Sequence, residues 1–127
     1  MRTRKINAPD AAEAVGGYSH AFEIANASRV LFISGQIPVR ADGTTPETFL
    51  DQARVAWANV EAQLRAADMG LENIVKHTTF LADRKYREEN RQVRREVFGE
   101  LRPALTVVIT AIFDEAWLLE IEAIAAT

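Results

Sequence analysis

The chain has 127 residues, of which 48 % are apolar and 26 % charged, with a net charge of −3. That size and composition support one ordinary core and exclude both a disordered chain and a cross-linked miniature fold. With no cysteine there is no disulfide framework, no thiolate nucleophile and no cysteine-based zinc site, and the acidic balance offers no general attraction to nucleic acid or anionic lipid.

The N-terminal stretch MRTRKINAPD is basic but lacks the apolar run of a signal peptide, and no stretch reaches the length of a membrane span. A single domain over residues 1–127, soluble and cytoplasmic, is the expectation. The pair Gly16-Gly17 marks a tight loop. HAFEIA and RVLFISGQIP then read as two short strands, joined at NAS into a hairpin. Asp42-Gly43 supplies a turn.

The first helix is predicted from Thr44 or Thr45 as cap, Pro46 in the first turn and Glu47 near the N-terminus. Phe49, Ala53, Ala56, Trp57, Val60, Leu64 and Ala67 fall on one helical face, and Gly70 is the expected stop. NIVKHTTFLA is rich in β-branched residues and predicts a strand. A second helix is predicted from Lys85 to Leu101, with Tyr86, Val93, Val97 and Leu101 as its apolar stripe, Asn90 inside that stripe and Pro103 beyond its end. LTVVITAIF and WLLEIEAIA close the chain as strands. The order β-β-α-β-α-β-β predicts an α+β fold, a single mixed sheet with both helices on one face. The other face would be bare yet partly apolar, and its economical partner is another copy of the chain.

In the last strand Leu119, Ile121 and Ala123 point one way and Glu120 and Glu122 the other. Carboxylates at a sheet edge usually pair across strands or stand in water; set among apolar neighbours, one can accept a proton or orient a water. Asn90 needs hydrogen-bond partners, either a nearby loop carbonyl or a ligand. The glycines of Gly16-Gly17-Tyr18-Ser19 and Ser34-Gly35-Gln36 serve turns or allow close approach of backbone to a ligand, and neither matches a phosphate loop. His20 and His77 have no acidic residue at metal-ligand spacing, so no metal site is expected; His77 reads as a strand residue with a satisfied ring. The run RKYREENRQVRR reads as a solvated helix face held by ion pairs, without the interleaved aromatics that an RNA contact would use.

Taken together the chain resembles the Rid (YjgF-type) family of reactive-intermediate deaminases, through GGYSHA, ISGQIPV, QARVAWANVEAQL, NIVKHTTFLAD, ENRQVRREVF, RPALTVV and EIEAIA, in that order. The resemblance implies a chorismate-mutase-like fold and a homotrimer with small-molecule clefts between subunits. It implies hydrolysis of 2-imino and 2-enamino acids to 2-oxo acids and ammonia, with no cofactor. Carried residue by residue, Tyr18, Ser34, Gly35 and Asn90 line the cleft, with Leu105, Thr106 and Val107 along the strand after Pro103. Glu120 positions the hydrolytic water, and Glu122 holds the strand.

Where active deaminases read Pro-Ala-Arg followed by Ser or Thr, residues 103–106 read Pro-Ala-Leu-Thr. Leu105 stands where the substrate-clamping arginine belongs, and leucine offers a carboxylate none of the paired bonds of a guanidinium. The expectation is an imine or enamine hydrolase with a different or less charged substrate, set against a trimer that binds a small ligand without turning it over. The family also often has Pro where Gly17 stands and Gln where His20 stands, which makes His20 a candidate proton donor or acceptor at the cleft mouth.

Overall fold

In the computed structural model, which describes residues 1–127, the strands are β1 (Arg2–Ile6), β2 (Ala21–Ala25), β3 (Val30–Gln36), β4 (Ile74–Leu81), β5 (Ala104–Ile109) and β6 (Leu119–Ala126). The helices are α1 (Phe49–Ala66) and α2 (Arg87–Phe98). From β2 onward this is the predicted order. The added element is β1, whose sequence RTRKI is exposed at four of five positions and so carries no alternating apolar signal.

β1 changes the pairing. The predicted β2–β3 hairpin does not form: β2 pairs antiparallel with β1, and β3 pairs antiparallel with β6. The turn at NAS exists, with Asn26 at φ 61°, but it hands the chain on to the C-terminus. The Ser28 and Arg29 amides both donate to the Thr127 carbonyl, which starts the β3–β6 ladder. The strands therefore form a two-stranded ribbon, β1-β2, and a four-stranded mixed sheet, β3-β6-β4-β5, rather than one sheet. β3 and β4 flank β6 antiparallel, so they run parallel to each other, and β4 and β5 are parallel neighbours. Each parallel pair is joined through a helix, as crossover connections require.

α1 buries Phe49, Ala53, Ala56, Trp57, Val60 and Leu64, the predicted face except for Ala67, which lies just past the helix end. Its cap is Thr48, not Thr44 or Thr45: Thr48 Oγ1 accepts from the Asp51 amide at 3.2 Å. Thr44 is engaged instead with Asp42, its hydroxyl donating to Oδ1 at 2.7 Å. The helix stops at Ala66, before Gly70, because Asp68 takes the left-handed turn at φ 57° and the Met69 amide returns to the Leu64 carbonyl at 2.8 Å. α2 follows a 3₁₀ turn over Arg84–Tyr86, capped by Asp83 Oδ1 accepting from the Lys85 amide, and ends at Phe98 rather than Leu101 because Gly99 turns at φ 54°. Arg54 of α1 and Glu96 of α2 join the helices, with Nε and Nη2 donating to the two carboxylate oxygens at 3.2 and 3.1 Å.

Both helices cover one face of the four-stranded sheet. Trp57, Val60, Leu64, Leu81, Val93, Leu119 and Ile121 are buried between them. His77 lies in this layer, but its ring is not satisfied as expected. It stacks on Phe98 with centroids 5.1 Å apart, meets the edge of Trp57 at 5.1 Å, and neither ring nitrogen has a hydrogen-bond partner. Strand alternation put it on the helix face, where the rings of Trp57 and Phe98 pack against it and no polar partner reaches it. Burial, reinforced by Arg94 and Lys76, pushes its pKa down to about 3, so it stays neutral. The opposite face is bare, with Val30 48 % and Phe32 75 % exposed.

Candidate functional site

β5 forms one edge of the sheet, and its register decides what Leu105 can reach. Leu105, Val107 and Ile109 lie opposite His77, Thr79 and Leu81, all buried on the helix-covered side. They therefore face α2, and the space between is an open cleft of about 900 Å³. Thr106 alternates to the other face, where its Oγ1 accepts from Lys76 Nζ at 2.7 Å.

Four residues expected at a site bring their side chains to this cleft, Tyr18, Asn90, Leu105 and Val107, while Thr106 borders it with its side chain turned away. Tyr18 is held there by the segment before β2. The Ser19 amide donates to the Pro103 carbonyl and its hydroxyl to the Arg102 carbonyl, which fastens the loop to the start of β5. Gly16 and Gly17 make the approach at φ 106° and 83°. The second value is closed to proline, so glycine in place of the family's proline gives this loop a conformation proline could not take. His20 also lines the cleft, edge-on to Tyr18 with centroids 5.6 Å apart, and its Nε2 lies 2.5 Å from the Ala12 carbonyl oxygen.

Asn90 is 4 % exposed and its Oδ1 meets no donor within the chain. An unpaired buried acceptor costs about 1–3 kcal/mol, so the site carries an open hydrogen-bonding position at this atom.

Leu105 is apolar as read, but the wall across from it is cationic. Arg84, Lys85, Arg87, Arg91 and Arg94 line the cleft beside a single carboxylate, Glu88. Glu88 sits 3.6 Å from both Arg87 and Arg91. The solvated-face reading of this segment holds for those residues and fails at Arg94, which is 8 % exposed. Its Nη2 donates to the Gly16 carbonyl at 2.6 Å, and no carboxylate lies within ion-pair distance. Burial, with Arg91 and Arg95 adding repulsion, lowers its pKa below the ordinary arginine value, while Tyr18 opposes that shift. Arg94 stands four residues after Asn90, on the same helical face, and of the two basic residues that the sequence offers in place of the missing guanidinium, Arg40 and Arg94, it is the one at the cleft.

Ser34, Gly35 and Glu120 are not at this cleft. Ile33 and Ile121 are buried on the helix side, so Ser34 and Glu120 point to the bare face. A bulge between Ile33 and Gln36 bends β3, and Gly35 rests there against the Glu120 carboxylate. A Cβ at Gly35 would collide with Glu120 Oε2, so glycine is what admits the carboxylate. Ser34 borders a shallow depression with Lys76, Thr78 and Glu122. One further residue, Gln52, is 1 % exposed and escaped the sequence reading. Its Nε2 donates to the Pro46 and Ala116 carbonyls and its Oε1 accepts from the Leu118 amide, which fixes the start of β6 just before Glu120.

Comparison with known proteins places the chain among relatives. The family model described as Endoribonuclease L-PSP matches residues 6–127. A RutC family protein of Pyrococcus horikoshii is 37 % identical over 123 residues, covering 94 % of this chain and 91 % of the relative. TdcF of Escherichia coli, described as a putative reactive intermediate deaminase, is 34 % identical over 116 residues, 88 % of each chain. A crystal structure of TdcF with bound serine superposes with a TM-score of 0.74 at 32 % identity, covering 98 % of both chains. The Rid family protein YyfB of Yersinia pestis, of unknown function, superposes with a TM-score of 0.87 at 26 % identity over 100 % of both chains.

Proposed function

Given that this chain belongs to the Rid family, whose model carries the description Endoribonuclease L-PSP, we propose that it hydrolyses a reactive imine or enamine at clefts completed by a second copy of itself in a homotrimer. The observation that carries this reading is the split of the carried-over site across the sheet. Asn90 and Leu105 face the helix-side cleft, while Glu120 lies on Gly35 at the opposite face. No single chain brings the two groups together; a neighbour that covers the bare face around Phe32 would supply the missing half.

The reaction asks little of the protein. An imine carbon is already electrophilic, and the main requirement is a water aimed at it. Glu120 accepts a proton from that water as its oxygen bonds to the carbon. Glu120 returns that proton to the nitrogen, giving the carbinolamine; a second proton, taken from water, reaches the nitrogen, the C–N bond breaks, and the remaining hydroxyl proton goes back to water as the carbonyl forms. Imine plus water thus gives carbonyl plus ammonia. Asn90 Oδ1 is free to accept from the substrate N–H and so orient the C=N bond. An enamine enters after protonation at its β-carbon. Because Leu105 supplies no clamp, the substrate is held differently from the 2-imino acids of arginine-bearing relatives. A ribonuclease reading is not carried over: Tyr18 and His20 meet edge to face and offer no series of parallel rings for stacked bases.

2-Iminobutanoate generated in situ tests the proposal, comparing wild type, Glu120→Gln and Leu105→Arg. Turnover by wild type that falls by about 10²–10⁴-fold in Glu120→Gln is the expected result, the range for a lost general base. Leu105→Arg is expected to accelerate it. Silence from all three, with ligand binding intact, would favour the binding-module alternative.

A further inference from the structure

Arg94 stands out among the charged groups of this chain. Every acidic residue that forms an ion pair does so with another cation, and Arg94 is left buried with one carbonyl contact. Burying a guanidinium without a counter-charge is costly unless an anion completes it. The Gly16 carbonyl uses part of the fork, and a guanidinium has five N–H donors. Four residues earlier on α2, Asn90 lines the same cleft, and its buried Oδ1 has no partner within the chain. Across the cleft β5 offers only hydrocarbon at Leu105, Val107 and Ile109.

These three surfaces define a ligand. We propose that Arg94 anchors the anionic end of the ligand, doing from α2 what the family's arginine does from β5, and that the ligand is a carboxylate-bearing imine or enamine whose apolar substituent lies on Leu105 and Val107. The ligand is thereby reversed in the cleft: its carboxylate lies at the helix and its side chain at the strand. Its N–H reaches Asn90 Oδ1 from the same helix. A less charged ligand, expected from Leu105 alone, would leave Arg94 uncompensated. The identity of the reacting group rests on the hydrolytic reading above; the anion anchor does not.

The test separates charge recognition from turnover by using a non-hydrolysable pair, 2-oxobutanoate and its neutral amide 2-oxobutanamide, titrated calorimetrically. Wild type is expected to prefer the acid. Arg94→Gln is expected to lose about 30-fold in affinity for the acid, the lower end for truncating one partner of a buried charge pair, and to bind the amide unchanged. Arg94→Lys keeps the charge but not the fork, so its acid preference should fall between the two. Arg91→Gln, at a cation already near Glu88, should change little. Wild type binding neither probe, binding acid and amide alike, or acid preference surviving intact in Arg94→Gln would overturn the assignment. If Arg94→Gln does not fold, as judged by circular dichroism, the acid-to-amide ratio of Arg94→Lys decides: an undiminished ratio overturns it. Acid preference that depends on Arg94 without any imine turnover would sink the hydrolase reading and leave the anchor standing; turnover indifferent to Arg94 would do the reverse.

Discussion

The two faces of the four-stranded sheet are built to different ends. The helix-covered face is a closed aromatic and aliphatic layer in which Trp57, His77 and Phe98 meet within about 5 Å of one another. The bare face exposes Val30 and Phe32 and carries the Glu120 carboxylate beside Gly35. The first face is finished within one chain; the second, in our reading, is finished by another copy. The proposed functional groups follow that division, with Asn90, Arg94 and Leu105 at the rim of the finished face and Glu120 on the unfinished one. A site divided in this way ties activity to assembly, so folding and function should be separable by mutation.

The largest expected effect on folding comes from the finished face. Trp57→Ala removes a fully buried ring and should cost about 3–5 kcal/mol of unfolding free energy, measured by denaturant titration. The next comes from His77. Its pKa falls from 6.5 to about 3 in the folded chain, so between those values the unfolded chain binds more protons and stability drops as pH falls. By linkage the loss should be about 2 kcal/mol at pH 5 relative to pH 7.5, and His77→Phe should remove that slope. An unchanged slope in the variant would place the acid sensitivity elsewhere. The smallest effect on chain stability belongs to the unfinished face. Phe32→Asp loses no buried contact, since Phe32 is 75 % exposed, and should shift unfolding by no more than about 0.5 kcal/mol. Sedimentation should nonetheless show this variant as single chains, because a charge on an apolar interface must be desolvated for the copies to join. A variant that still assembles would detach the bare face from the interface.

The contrast between the faces also explains what could be read from the sequence. Helical spacing exposed the α1 face from Phe49 to Leu64 because that face is buried, and the alternation of Leu119, Ile121 and Ala123 exposed β6 for the same reason. β1 escaped because its ladder to β2 is made by backbone groups beneath exposed side chains, which leave no periodic trace. The β2–β3 hairpin was misread because the Thr127 carbonyl, distant in sequence, captures the turn amides. Tyr18, Asn90, Leu105 and Glu120 were named through resemblance to a family; the first three meet at the cleft and Glu120 lies on the bare face. Arg94 could be named only as one basic residue among several, because one more arginine in a charged helix looks like solvated surface until its burial is known.

The central claim is that Asn90 of one chain works with Glu120 of another. Mixing two inactive variants tests it directly: Asn90→Ala and Glu120→Gln are unfolded together, refolded at equal concentration, and assayed for imine hydrolysis. Random assembly around a closed ring would rebuild about a quarter of the clefts with both native groups, and activity should return to that fraction of wild type. A refolded mixture no more active than its two components would contradict the claim and return both residues to a single chain.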